Sequence, residues 1–249
     1  MQIAVNQNLQ EAYNDQYSPE TAIWRGLGAK QKVKNILNIT AGLSFQKVLE
    51  VGAGDGSILK LLSENNFASE LHAVEISESG LAQIKAKNIE NLASAQIFDG
   101  YKLPFTDKFF DLVILTHVLE HVEHERLLLR EIHRVTNKMI LEVPKDYRFG
   151  ADKKLAHFLA YGHINLYTPT SLRFLLMTEN FKILKQFTNL YHGDTFLFGK
   201  KTFVQKMKGQ MAYFVKVLMS HTPSEYINDK FVNTITVLAA SENKELNIF

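Results

Sequence analysis

The stretch Val48-Leu49-Glu50-Val51-Gly52-Ala53-Gly54-Asp55-Gly56 decides the fold. A short apolar run contains an acidic residue near its end and is followed by glycines at alternate positions, and an apolar pattern typical of a helix then runs from Ser57 to Leu62. Glycine has no Cβ and tolerates positive φ, so the chain can turn sharply and a ligand can approach its backbone. The helix behind the turn offers unpaired N–H groups. This order of strand, glycine turn and helix predicts a ligand site.

Length and composition indicate a single large domain. The chain has 249 residues, of which 46% are hydrophobic and 22% charged, the balance of an ordinary globular protein. We expect one domain over 1–249, a helical cap or lid over 1–40, and an insertion over 191–230 that covers the substrate pocket. The net charge of +2 is too small to indicate a nucleic-acid partner.

The absence of cysteine excludes disulfides, cysteine-ligated metal centres and a cysteine nucleophile. A signal peptide has a basic segment followed by an apolar one. The first residues of this sequence do not show that pattern. No apolar run reaches the roughly 18 residues that a transmembrane helix needs. We therefore expect a cytoplasmic protein.

Strand-like and helix-like runs alternate through the first two-thirds of the chain, which predicts an α/β fold with a mainly parallel sheet and helices on both faces. The strand-like runs cover 47–51, 70–75, 95–98, 110–116, 138–143, 181–190 and 231–239. The helix-like runs cover 57–65, 78–87, 123–135 and 170–179. In such folds ligands bind at the carboxyl ends of the strands.

Polar residues end three of these strands. Glu75 follows the glycines by about 20 residues, the position from which an acidic side chain accepts hydrogen bonds from ribose hydroxyls. Asp99, next to Gly100, follows the third strand and can accept a hydrogen bond from an adenine amino group. Thr116 and His117 end the fourth strand. Together they indicate a site for an adenosine-containing molecule.

The glycine spacing separates two kinds of cofactor. The dinucleotide fingerprint is G-x-G-x-x-G, whereas Ser57 stands here where the third glycine would be. Glu50 would repel a pyrophosphate but attract an ammonium group. A molecule with adenosine at one end and a cationic amino acid at the other therefore fits better than NAD.

The chain resembles the class I S-adenosylmethionine-dependent methyltransferases over residues 22–190. Four blocks carry the resemblance: VLEVGAGDG at 48–56, HAVEIS at 72–77, IFDGYKLPFTDKFFDLVILTHVLEHV at 97–122 and GHINLYTPTSLRFLLMTENF at 162–181. The last is similar to a segment of the small-molecule branch of the family. The resemblance implies a Rossmann-like, seven-stranded sheet in the order 3-2-1-4-5-7-6 with an antiparallel last strand. It also implies S-adenosylmethionine as methyl donor and S-adenosylhomocysteine as product.

The resemblance also implies roles for particular residues. Gly52, Ala53 and Gly54 would line the methionine end, Glu75 would hold the ribose and Asp99 the adenine. The expected cofactor-binding residues are Glu50, Gly52, Ala53, Gly54, Glu75, Ile76, Asp99, Gly100, Thr116 and His117. Residues from 191 onward match no block of the family, so the acceptor is not identified.

Histidines provide the candidates for catalysis. His117, His121 and His124 share one face if the segment is helical, and Glu120 lies among them. One of them could act as a general base, they could ligate a metal, or they could hold the backbone and shape the cofactor site. We favour the structural reading and expect no metal. The catalytic candidates are His117, His121 and His163.

The expected substrate contacts lie in two regions. Tyr13, Tyr17 and Trp24 could close over the cofactor, and Arg25 could meet a carboxylate, although such aromatic residues more often pack an N-terminal helix. His163 lies in a loop after the fifth strand and could contact substrate, act as a base, or anchor the loop. The substrate-binding candidates are Tyr13, Tyr17, Arg25 and His163.

The segment 200–216 interleaves lysines with aromatic residues and methionines. A basic amphipathic helix of this kind could contact a membrane surface or an acyl carrier, but a cover over the substrate pocket explains the pattern more simply.

We therefore predict an enzyme that transfers a methyl group to O, N or C of a small molecule by direct in-line attack. The alternatives are a methyltransferase that acts on a macromolecule or on a carrier-bound or lipid substrate, and a non-catalytic module that binds the cofactor. The sequence does not predict the oligomeric state.

Overall fold

A seven-stranded sheet runs through the centre of the molecule in the order β3-β2-β1-β4-β5-β7-β6. This computed structural model describes residues 19–147 and 151–242. The strands are β1 (Phe45–Val51), β2 (Ala68–Glu75), β3 (Leu92–Ile97), β4 (Leu112–Thr116), β5 (Lys138–Pro144), β6 (Phe181–Asn189) and β7 (Thr234–Ser241). All neighbouring strands are parallel except β7, which is antiparallel to both β5 and β6. The predicted fold class and strand order are confirmed.

Helices cover both faces of this sheet. In the described part of the chain they are α1 (Pro19–Ile39), α2 (Ser57–Glu64), α3 (Glu78–Ala86), α4 (Glu125–Val135), α5 (Leu155–Ala160), α6 (Pro169–Thr178), α7 (Gly193–Leu197), α8 (Phe203–Ser220) and α9 (Glu225–Phe231). The start of α6 follows the expected pattern, with a proline in its first turn behind a capping threonine, Thr168. Among these residues, no helix is both long and apolar enough to cross a bilayer.

The central strands are buried on both sides because their side chains alternate between two hydrophobic clusters. Leu49 and Val51 of β1 pack with α4 and α6 on one face. Val48, from the same strand, packs with α1 and α2 on the other. This alternation follows from the two-residue period of a strand. Because β1, β2, β4 and β5 are parallel, their carboxyl ends lie at one edge of the sheet.

The predicted strands differ from the observed ones by one to three residues at one end or both, and three of these differences have a visible cause. The third begins earlier, at Leu92, because the partly exposed edge strand lacks an apolar pattern that marks its start. The fourth begins at Leu112 rather than at 110, since Phe110 pairs with Thr136 only through an isolated bridge. The last begins at Thr234, because 225–231 form α9.

The histidine segment after β4 is not a continuous helix. His117 adopts a left-handed backbone with φ of +55°, and its N–H donates to the Glu142 carbonyl at 2.8 Å. Only Leu119–His121 form a short 3-10 turn, and α4 begins after His124. The condition for the three histidines to share one helical face is therefore not met.

One predicted accessory segment precedes β1, and the other lies between β6 and β7. Helix α1 is the described part of the predicted cap over 1–40 and packs on α2 and β7. Helices α7, α8 and α9 form the segment between β6 and β7 that was predicted as an insertion over 191–230.

Candidate active site

A cavity of about 710 Å³ opens at the carboxyl edge of the sheet, beneath α1. Every predicted cofactor-binding residue except Asp99 lines it. Arg25, His121 and His163, predicted to contact substrate or to act in catalysis, line it as well. Tyr13 and Tyr17 lie outside the described residues.

The glycine loop forms one wall of this cavity. Gly52 and Gly54 both have positive φ, +68° and +57°, a conformation that glycine adopts without strain. A Cβ on Gly52 would come within 2.6 Å of Cγ2 of Val118. The Gly52 and Ala53 N–H groups donate to the Val74 carbonyl at 2.9 and 3.2 Å. The loop thus requires glycine, and β2 holds it in place.

Glu75 connects the glycine loop to the end of β2. Its Oε2 accepts the Gly54 N–H at 2.8 Å, and its Oε1 accepts both the N–H and the hydroxyl of Ser77 at 3.1 and 2.9 Å. The side chain is buried yet lines the cavity. Each carboxylate oxygen offers two lone pairs, so Oε2 keeps one acceptor position that a ligand hydroxyl could use.

Glu50 is a buried carboxyl group with an unsatisfied oxygen in the cavity wall. The residue is 1% exposed, and its Oε2 has no hydrogen-bond partner among the described residues. Burial raises the pKa of Glu50 well above its usual range, the charge of Lys32 lowers it, and the carboxylates of Asp55 and Glu75 raise it. An ammonium group of a ligand could donate a hydrogen bond to this oxygen, so the residue fits a cationic group.

The Asp99 carboxylate caps the turn that follows it. Its Oδ1 accepts the N–H groups of Tyr101 and Lys102 at 2.9 and 2.6 Å. The neighbouring Phe98, Gly100 and Tyr101 line the cavity in its place. The predicted contact between Asp99 and adenine therefore stays a prediction.

Arg25 forms an ion pair within the protein. Its Nε lies 3.2 Å from Oδ2 of Asp55, and Lys87 Nζ lies 3.6 Å from the same oxygen. Burial alone would raise the pKa of Asp55, but hydrogen bonds from Ser57 and the cations of Lys87 and Arg25 lower it. Arg25 thus ties α1 to the glycine loop, and a substrate carboxylate would compete for it with Asp55.

A second polar cluster lies at the ends of β4 and β5. His117 Nε2 is 3.3 Å from Glu142 Oε1, and His117 Nδ1 is 3.5 Å from Glu120 Oε1. Glu142 Oε2 accepts hydrogen bonds from Asn35 and Thr236, both at 2.7 Å. Burial and the charge of Lys32 lower the pKa of His117 to about 4. Burial and Lys32 thus favour the neutral imidazole.

His121 and His163 face the same buried acid, Glu120. His121 Nδ1 donates to the Gly162 carbonyl at 3.0 Å, and its Nε2 lies 3.8 Å from Glu120 Oε1. His163 Nδ1 bonds to Oδ2 of Asp146. Burial lowers the pKa of His121 to about 4 and raises that of Glu120 to about 7. Burial alone would lower the pKa of His163, but Asp146 and Glu120 raise it.

Backbone hydrogen bonds fix the relative positions of these groups. The N–H groups of Ile164 and Asn165 donate to the Glu120 carbonyl at 2.8 and 3.1 Å. The Asn165 side chain donates to the Val122 carbonyl at 2.7 Å. The loop that carries His163 is thereby joined to the 3-10 turn that carries Glu120 and His121. The three predicted catalytic histidines thus surround one carboxylate.

Sequence reasoning missed three residues of this cluster. Glu142 interrupts the apolar run of β5 near its carboxyl end, so the rule that selected Glu50 and Glu75 applies to it equally. Asp146 follows the same strand by two residues. Lys32 carries no signal, because a lysine on a helix is ordinary until the fold places it against a cavity.

Comparison with known proteins identifies the central part of the chain. Residues 49–139 match the family model described as "Methyltransferase domain". YrhH of Bacillus subtilis (strain 168), named as a candidate methyltransferase, is 32% identical over 91 residues, which are 36% of this chain and 51% of that protein. The chain thus spans about half the length of that relative.

Two further proteins extend the comparison. The demethylmenaquinone methyltransferase of Thermotoga maritima is 22% identical over 176 residues, 60% of this chain and 76% of that protein. The crystal structure of geranyl diphosphate C-methyltransferase from Streptomyces coelicolor A3(2), in complex with Mg²⁺, geranyl-S-thiolodiphosphate and S-adenosyl-L-homocysteine, superposes with a TM-score of 0.61. At 10% identity, over 85% of this chain and 76% of that one, this likeness concerns the fold alone.

Proposed function

We propose that this chain, which belongs to the class I S-adenosylmethionine-dependent methyltransferases, transfers a methyl group to an O, N or C atom of a small-molecule acceptor. The observation that carries the proposal is the unsatisfied Glu50 oxygen beside the glycine loop, in the same cavity as Glu75. S-adenosylmethionine supplies an electrophilic methyl group, the acceptor atom attacks it in line, and S-adenosylhomocysteine is the product. A cytoplasmic location is part of this proposal.

Different residues of the cavity bind different parts of the cofactor. Glu50 receives the ammonium group, the backbone of Gly52 to Gly54 follows the methionine portion, and Glu75 accepts a ribose hydroxyl. Phe98, Gly100 and Tyr101 face the adenine end. Thr116 and His117 lie toward the reacting centre. Alignment of the two reactants then provides much of the rate, because bound groups in the right geometry react as if at very high concentration.

The size of the cavity favours a small acceptor. Its volume of about 710 Å³ lies within the roughly 300–1,000 Å³ of small-molecule pockets, and the methyl donor must occupy part of it. Phe158, Tyr161 and Ile164 contribute apolar wall near the histidine cluster. This arrangement suits an acceptor with an apolar body and a polar reacting end.

Calorimetric titration with S-adenosylmethionine tests the proposal. Glu75→Ala removes the acceptor of the Gly54 N–H and of the ribose hydroxyl, so we expect affinity to fall by about 1–3 kcal/mol, or roughly 5- to 150-fold. Glu90→Ala, which removes an exposed acid that does not line the cavity, is the matched control. If wild-type protein binds no cofactor at millimolar concentration, the proposal is wrong. If it binds but never forms S-adenosylhomocysteine across a broad acceptor screen, the non-catalytic alternative is favoured.

One observation favours a second candidate, an acceptor that is presented at an anionic lipid surface. Helix α8 exposes seven apolar side chains, each between 43% and 78% exposed: Phe203, Val204, Met207, Met211, Phe214, Val215 and Leu218. At 3.6 residues per turn, these positions fall within an arc of about 120°. Gly209 lies opposite this arc and packs on α7, where a Cβ would come within 2.5 Å of the Phe196 carbonyl.

The charge around this arc fits an anionic surface. Lys200, Lys201, Lys206 and Lys208 are all exposed, and no acidic residue occurs between 195 and 224. From the segment 191–230, Tyr191 and Thr195 line the cavity, whereas α8 does not. The predicted cover therefore involves α7 and the residues before it, and α8 is available as a basic amphipathic helix.

Vesicle sedimentation tests this candidate. We expect binding to vesicles that contain phosphatidylglycerol, no binding to pure phosphatidylcholine, and weaker binding at high salt. The triple variant Phe203→Ser, Met207→Ser and Phe214→Ser should lose it, and Phe174→Ser, which removes an exposed ring from α6, should retain it. The candidate is wrong if wild type ignores anionic vesicles, or if the triple variant instead converts a dimer to a monomer in light scattering.

A further inference from the structure

Glu120 is a buried carboxylate that the protein leaves unsatisfied. The residue is 0% exposed, and neither carboxylate oxygen has a hydrogen-bond partner among the described residues. The imidazoles of His117 and His121 come within 4.0 Å of Oε1. Burying a carboxylate without partners is costly, so such an oxygen is retained where something else satisfies it.

His121 and His163 both use Nδ1 for a contact within the protein. A carbonyl only accepts hydrogen bonds, so the contact with Gly162 requires a proton on Nδ1 of His121 and leaves Nε2 on the side of Glu120. The bond to Asp146 engages Nδ1 of His163 in the same way. Histidines that ligate metals characteristically donate their other N–H to a carbonyl or carboxylate, which fixes the tautomer and the ring orientation.

The three side chains are close enough to share one ion. One ligand atom from each of Glu120, His121 and His163 lies within 4.8 Å of the others. At tetrahedral angles, bonds of about 2.1 Å place two ligands of one ion about 3.4 Å apart. The widest pair of ligand atoms would therefore have to approach by up to about 1.4 Å. The hydrogen bonds between the 162–165 loop and the Glu120 carbonyl already hold the two segments together.

We propose that Glu120, His121 and His163 bind one divalent transition-metal ion at the acceptor end of the cavity. Two imidazoles and one carboxylate suit Zn²⁺ and its neighbours in the first transition row, and a three-ligand site keeps open positions for another molecule. From the sequence, His117, Glu120, His121 and His124 could ligate a metal, but we expected none and did not include His163. The backbone turn at His117 and the Asp146 contact bring the third ligand into the group.

The ion has a role that rests on the proposed methyl transfer. Of the three ligands, His121 and His163 line the cavity, and Glu120 is fully buried next to them. A metal there would hold an acceptor through oxygen atoms and make a coordinated hydroxyl more acidic. This assigns the acceptor to compounds that offer two adjacent oxygens, such as a catechol or an α-hydroxy carboxylate.

Metal binding can be measured without activity. Chelator-treated full-length protein is titrated calorimetrically with Zn²⁺ and with Mn²⁺, and bound metal is counted by mass spectrometry after gel filtration. We expect one ion per chain, and an affinity for Zn²⁺ that falls at least about 100-fold in Glu120→Gln and in His163→Gln. His192→Gln removes an exposed histidine beside Asp194 and should change nothing.

The outcomes separate this proposal from the proposed function. S-adenosylmethionine affinity, measured on the same samples, should persist in Glu120→Gln, which also shows that the variant folds. Cofactor binding without any stoichiometric metal overturns the metal site and leaves the methyltransferase proposal intact. Metal that binds equally well to wild type and to both cavity variants shows binding to surface histidines, and it also overturns the site. Metal binding that Glu120→Gln and His163→Gln abolish, in a protein that binds no cofactor, supports the metal site and overturns the methyltransferase proposal.

Discussion

Replacing Glu50 with glutamine should change cofactor affinity and stability in opposite directions. Glu50→Gln keeps the size of the side chain but removes its charge. If Glu50 receives the ammonium group of the cofactor, the variant loses a charge-assisted hydrogen bond worth about 1.5–3 kcal/mol. This loss corresponds to roughly 10- to 150-fold weaker binding of S-adenosylmethionine. Calorimetric titration at neutral pH measures it directly.

The stability of the ligand-free protein should rise. Burial raises the pKa of Glu50 in the folded state. The positive charge of Lys32 lowers this pKa, and the negative charges of Asp55 and Glu75 raise it further. Since the folded pKa lies above the unfolded one, the stabilising contribution is complete below the unfolded pKa and is lost as pH rises through the folded pKa. At pH 8 the variant avoids this loss, so we expect a gain of about 1 kcal/mol, or about 2–4 °C in Tm. At pH 4 the gain should vanish.

Two measurements can refute this reasoning. Glu90→Gln removes an exposed charge that does not line the cavity and should alter neither Tm nor affinity. A Glu50→Gln variant that melts earlier than wild type at pH 8, with unchanged cofactor affinity, would mean that the carboxylate stabilises the empty protein. Such a result would remove Glu50 from the binding site.

Two further substitutions test the glycine loop and the contact between α4 and the end of α6. Gly52→Ala places a Cβ 2.6 Å from Val118 at a φ of +68°. We expect the free energy of unfolding to fall by about 1–2 kcal/mol because of the left-handed backbone. The double variant with Val118→Ala should recover only the part of the Tm loss that is due to the clash. Glu179 accepts hydrogen bonds from Arg126 at 2.6 Å and Arg130 at 2.7 Å, and although burial alone would raise its pKa, these two groups lower it. The stabilisation by the Glu179 carboxylate is therefore present at neutral pH and is lost as pH falls through the folded pKa. Glu179→Gln should lower the free energy of unfolding by about 1 kcal/mol at pH 7 and leave it unchanged in strong acid. An equal loss at both pH values in denaturant titrations would contradict this.

The cofactor half of the site was predictable because it depends on local sequence and on sheet geometry. A parallel strand that ends in a glycine turn places its ligand at one edge of the sheet. The next strand must end at the same edge, which brings Glu75 to Gly54 without knowledge of any other contact. The residues that the rule selected line the cavity, with Asp99 as the exception because its oxygen caps the following turn.

The acceptor half depends on long-range contacts and could not be predicted in the same way. A helical pattern through His117, His121 and His124 was reasonable, but the left-handed backbone of His117 ends it. His163 reaches Glu120 only through hydrogen bonds between segments about 40 residues apart. For α8 the sequence predicts a basic amphipathic helix, but the packing of Gly209 against α7 decides which face is exposed.

The antiparallel pair β6 and β7 bears on how this protein could change over evolutionary time. The segment 190–233 leaves the sheet at the end of β6 and returns to the adjacent β7, and the pairing of these two strands is fixed by their own register. The strands that carry Glu50 and Glu75 lie on the far side of β5. Lengthening such a connection costs little, because closure entropy grows only with the logarithm of its length. Insertions, deletions or exchange of 190–233 could therefore alter acceptor choice or cellular location while the donor-binding half is inherited unchanged.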